Sequence, residues 1–94
     1  MKIASALKDP DVGVRTEAAQ ILKNLGPKAK SAVPALIHAL QDSDQDVVLF
    51  AAQALGRIGP DAQEAVPALQ EALQNTGPNS ETTLRWALKQ TKAK

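Results

Sequence analysis

The densest run of chemically capable side chains is Asp42-Ser43-Asp44-Gln45-Asp46, three carboxylates at alternate positions. Alternate aspartates open the oxygen loop that wraps a calcium ion, which also needs glycine at the sixth position and a bidentate glutamate at the twelfth. Val47 and Gln53 stand at those places, so the run reads as helix capping, with carboxylates accepting from backbone amides. His38 is the only histidine, and the chain has no cysteine to join it around a metal. Ser5, Ser31, Ser43 and Ser80 have no base system to activate them, and no acid pair sits in an apolar frame that would separate two pKa values. The glycines read as helix stops or turns rather than a phosphate cradle. Gly13 is the exception, an interior helix glycine costing about 1 kcal/mol against alanine. The expectation is a chain with no catalytic residue, no metal and no cofactor.

What chemistry there is belongs to surfaces. In Val47-Val48-Leu49-Phe50, three positions are apolar where an internal copy, Val14-Arg15-Thr16-Glu17, has polar residues. That copy is the main feature of the chain: residues 7–40 align with 40–73 at an offset of 33, with about half the positions identical. Asp9, Asp11, Ala18, Ala19 and Leu22 recur as Asp42, Asp44, Ala51, Ala52 and Leu55, and Gly26-Pro27 and Val33-Pro34 as Gly59-Pro60 and Val66-Pro67. Periods of this size mark solenoids, whose units bury their apolar faces only against one another.

Each period reads as two helices. Val14, Ala18, Ile21, Leu22 and Leu25 recur at steps of three and four and share one face. Asp9 and Asp42 are placed as N-caps, with Pro10 following the first. Gly26-Pro27 ends the helix, and Pro34 restarts the chain with the stripe Val33, Leu36, Ala39 and Leu40. The predicted helices are 10–25, 33–41, 43–58 and 66–74. Ser80 is placed as the N-cap of a last helix carrying Leu84, Ala87 and Leu88 into the core, closed by the basic run Lys89 to Lys94.

The strings Asp9-Pro10-Asp11, Ala18-Ala19, Leu25-Gly26-Pro27 and Ala32-Val33-Pro34-Ala35-Leu36 resemble HEAT-like repeats, specifically the short subclass of the phycobilisome-lyase type. The resemblance covers residues 3–73 strongly and 74–91 weakly. It implies an all-α fold: a right-handed α-solenoid of stacked antiparallel helix pairs, with two full repeats and a partial one at each end. Residues 1–94 are then a single domain, comprising a partial repeat at 1–8, repeats at 9–41 and 42–74, and a capping unit at 75–94. First helices lie on the convex side and second helices line a concave, partner-binding side. The family usually carries arginine after the first-helix valine, where it meets the acidic turn of the next repeat. Arg15 matches, but Val48 and Glu81 stand at the later positions, so the ion-pair ladder is expected in the first unit only. Trp86 stands where Gln20 and Gln53 do, a place where the family often has tryptophan.

Two candidate interfaces follow. Val48 and Leu49 are predicted off the core face, where with Phe50 and Trp86 they either form an apolar edge for a partner or a second copy or lie under the neighbouring turn or the third unit. Projection of the repeat places Ile37 and Gln70, His38 and Glu71, and Gln41 and Gln74 in columns on the concave face, with Ala4, Ser5 and Lys8 completing them. The incomplete unit at the start offers a second open surface for self-association.

Composition limits the partner. The chain is 44% hydrophobic and 22% charged. Its net charge of +1 hides bands of +3 over residues 1–40, −6 over 41–83 and +4 over 84–94. An acidic middle is a poor nucleic-acid track, so weak nucleic-acid binding is an alternative only. Bilin-lyase-like chromophore handling is a second alternative, suggested by the resemblance alone. No run is long enough to span a bilayer, and Met1 to Leu7 lack the apolar core of an export signal, which favours a cytoplasmic location. The leading expectation is a noncatalytic scaffold that binds a protein partner.

Overall fold

The structure is a computed structural model that describes residues 2–92. Every regular element among them is helical: α1 (Lys2–Ser5), α2 (Val12–Leu25), α3 (Val33–Ala39), α4 (Gln45–Ile58), α5 (Val66–Gln74) and α6 (Pro78–Lys92). Three 3₁₀ segments, Ala6–Lys8, Gly26–Ala32 and Gly59–Ala65, connect them. The helices pack as successive hairpins, with α2 along α4 and α4 along α6. The all-α repeat architecture read from the sequence is the one observed. Met1, Ala93 and Lys94 lie outside the described residues, so the expected basic closure is described only as far as Lys92.

Close packing follows from small side chains. Ala18, Ala19, Ala51, Ala52, Ala54 and Ala87 are buried where α2, α4 and α6 meet, so these backbones approach closely. Leu22, Leu36, Leu55, Leu69 and Leu84 are fully enclosed and fill the space between layers. Gly26 and Gly59 end α2 and α4 with φ of +60° and +79°, a conformation that a side chain would disfavour. Each glycine opens a proline-containing 3₁₀ segment that turns the chain and buries Ala29 and Ala32, or Ala62 and Ala65. The sequence marks these stretches as stops; their regular winding comes from the short span each has to cross.

The helix starts correct the sequence reading. The caps are Asp11 and Asp44, not Asp9 and Asp42: Asp11 accepts from the Gly13 amide, and Asp44 from those of Asp46 and Val47. Asp9 and Asp42 sit two residues earlier and accept from the amides of Asp11 and Asp44 at 2.9 and 2.8 Å. Each aspartate pair therefore forms a turn followed by a cap. Gly13 falls in the first turn of α2, its amide 2.7 Å from the Asp11 carboxylate. An added Cβ there would stand 3.1 Å from the same oxygen, so the Asp11 carboxylate would have to give by a few tenths of an ångström. Ser80 is not a cap: α6 starts at Pro78, and Ser80 is buried in its first turn.

Candidate functional site

The turn-side edge of the stack is built twice. At the first junction Arg15 leaves α2 and lies almost enclosed against the turn that leads into α4. Its Nε donates to Asp42 Oδ2 at 2.9 Å and its Nη2 to Oδ1 at 3.4 Å, while Nη1 donates to the carbonyls of Asp9 and Pro10 at 2.9 and 3.0 Å. The side chains of Arg15 and Asp42 are 17% and 10% exposed, so a planar, permanently charged donor is matched to carboxylate and carbonyl acceptors with little water between.

At the second junction the offset of 33 replaces Arg15 by Val48 and Asp42 by Asn75. Both halves of the ion pair are gone together. Gln45, at the start of α4, instead donates its side-chain amide to the hydroxyls of Thr76 and Ser80. Val48 does not reach as far as an arginine, and a cleft of about 300 Å³ remains beside it, lined by Gln41, Asp42, Glu71, Asn75 and Thr76 among others.

Of the two readings of the apolar edge, the structure gives intramolecular cover for Val48. Val48 is 7% exposed and belongs to the core, because the hairpin that follows covers it; it cannot present itself to a partner. Leu49 is half-buried. Phe50 packs against the core, and the Lys23 ammonium lies 5.0 Å from its ring centre. Trp86 is 39% exposed, with its ring resting on Gly56 of α4. A Cβ at Gly56 would fall 2.3 Å from the indole, so this interior glycine is a seat for the ring rather than a stop. The signal lies in the alignment: Gly56 replaces Lys23 where Trp86 replaces Gln53, a paired exchange. Gln53 Oε1 is a buried acceptor without a partner among the described residues.

Four of the exposed large apolar side chains lie on α2 instead. Val12, Val14, Ile21 and Leu25 are all exposed. The sequence pattern puts Val14, Ile21 and Leu25 in the core; their counterparts Val47, Ala54 and Ile58 are buried because α2 covers them. No full-length helix plays that part for α2 among the described residues. On the second helices, His38, Gln41, Gln70, Glu71 and Gln74 are exposed, and Ile37 is half-buried against the core. Glu71 and Gln41 alone of this set reach the cleft beside Val48. Among the described residues no cluster of histidines or carboxylates could hold a metal ion, and no helix is long and apolar enough to cross a membrane.

Stacked hairpins with a repeated buried set and divergent exposed positions define an α-helical repeat protein. A family model for HEAT repeats matches residues 2–89, and the chain belongs to that family. Such repeats commonly serve as protein-interaction scaffolds and are generally noncatalytic. A crystal structure of an engineered protein is similar over 96% of this chain, with a TM-score of 0.80 and 29% sequence identity. The chain spans 44% of that protein's length. No curated protein matches the sequence.

Proposed function

We propose that the chain is a noncatalytic scaffold module that binds a protein partner through the outward side of α3 and α5. The carrying observation is the contrast between neighbouring positions. Leu36 and Leu69 are identical and fully buried. Beside them Ile37 and His38 become Gln70 and Glu71, and His38, Gln70 and Glu71 face solvent. A packed framework thus holds its shape while the outward residues vary, an arrangement that allows a rigid surface to select partners without reorganising. The exposed apolar side chains of α2 and Trp86 belong to the first helices and are not part of this face.

The test combines capture with direct binding. A variant carrying His38→Glu, Gln70→Arg and Gln74→Arg alters exposed side chains only, so its circular dichroism should match that of the unaltered chain. A protein captured by the unaltered chain, once purified, should bind it with a Kd of about micromolar or tighter and the variant at least about tenfold more weakly. Equal binding to both, or no purified protein that binds directly, would overturn the reading.

A further inference from the structure

We propose that the cleft beside Val48 is a guanidinium socket that receives an arginine side chain from a protein partner. The argument is internal to the molecule. Shifted back by 33 residues, Val48, Asn75, Asp42, Glu71 and Gln41 become Arg15, Asp42, Asp9, His38 and Lys8. In the first period the corresponding space is filled by the Arg15 guanidinium, which holds the Asp42 carboxylate and the carbonyls of Asp9 and Pro10. In the second period the same helix start and turn are present, but the side chain that would fill them ends at the Val48 methyl groups. About 300 Å³ is left open to solvent at the matching place.

The lining also changes in the direction that favours an incoming cation. Where the first period has Lys8 and His38, the second has neutral Gln41 and acidic Glu71. Glu71 is exposed at the rim and supplies the negative charge that Asn75, replacing an aspartate, no longer provides. By the offset of 33, Asn75 and the carbonyls of Asp42 and Ser43 are the counterparts of the three acceptors of Arg15, and Asn75 and Asp42 line the cleft. A planar fork of donors fits several such acceptors at once, whereas a lysine ammonium engages them only as a point charge. The surrounding band of residues 41–83, with its balance of −6, draws cations toward the cleft.

The proposal rests on the scaffold reading, but the two fail separately. Nuclear magnetic resonance titration of the whole chain with Nα-acetyl-arginine methylamide tests the socket without any partner. Saturable shifts are expected at the amides of Asp42, Glu71 and Thr76, with the lysine analogue at least about fivefold weaker. Val48→Arg with Asn75→Asp supplies the socket with its own guanidinium and should abolish the arginine response. Glu71→Lys, at an exposed position that does not endanger folding, should weaken it at least about fivefold. Unsaturable shifts, equal response to the two analogues, or an unchanged response in Glu71→Lys would overturn the socket and leave the scaffold standing. A responsive socket in a chain that binds no protein would overturn the scaffold instead.

Discussion

The α2–α4 and α4–α6 junctions share a backbone plan and differ in how they are held. The first uses charge: Arg15 lies against Asp42 and two carbonyls, and Lys23 sits over Phe50. The second uses shape and neutral hydrogen bonds: Val48 enters the core, Gln45 reaches Thr76 and Ser80, and Trp86 lies on Gly56. Charged pairs and apolar contacts of similar volume can substitute for each other in a protein interior, provided both partners change together. The exchanges Arg15 to Val48 with Asp42 to Asn75, and Lys23 to Gly56 with Gln53 to Trp86, are paired in this way.

The largest effect should come from what the junctions have in common. Leu22 and Leu55 are equivalent and fully buried, but Leu55 belongs to α4, which packs on both sides. Leu55→Ala should cost about 2–5 kcal/mol, toward the upper end of that range, and Leu22→Ala less, as read from urea unfolding. Equal losses would mean that the junctions do not meet at α4.

Next comes the charge. Arg15→Val alone leaves the nearly enclosed Asp42 carboxylate with the Asp44 amide as its remaining partner and should cost about 2–4 kcal/mol. Adding Asp42→Asn copies the second junction onto the first and should recover about half of that loss, a coupling visible in a double-mutant cycle. Strict additivity would show that Arg15 acts by packing its stem rather than by pairing.

The smallest effect should also change sign. Gly56→Ala removes an interior helix glycine, a gain of about 1 kcal/mol by propensity, but the new methyl group must displace the indole. The substitution should therefore destabilise the natural chain and stabilise one that already carries Trp86→Ala, by about 1 kcal/mol in thermal unfolding. The same sign in both backgrounds would remove Trp86 from its seat.

These differences explain what is legible in the sequence. The helix ends at Leu25, Ile58 and Gln74 and the starts at Val33 and Val66 agree with prediction, because glycine and proline act locally on the backbone. The caps fall two residues later than expected because both aspartates of each turn accept backbone amides, and composition does not distinguish a turn from a cap. For Val48 the sequence leaves two readings open, for a different reason. A helical projection says which side of one helix is apolar, but not how much of that side the following hairpin covers. Exposure of Val14, Ile21 and Leu25 is the same point in reverse: their pattern is that of core residues, and only the absence of a full-length covering helix among the described residues leaves them open.

The period of 33, its paired helices and their stop signals are local properties, written in propensity and apolar spacing, and the chain alone determined them. Which side chains meet across 27 or more residues, as Arg15 and Asp42 do, was decided only by the tertiary structure. So were the seat beneath Trp86 and the cleft beside Val48. Contacts and gaps between helices depend on the distance at which two backbones settle, and that distance is set by all the side chains between them at once.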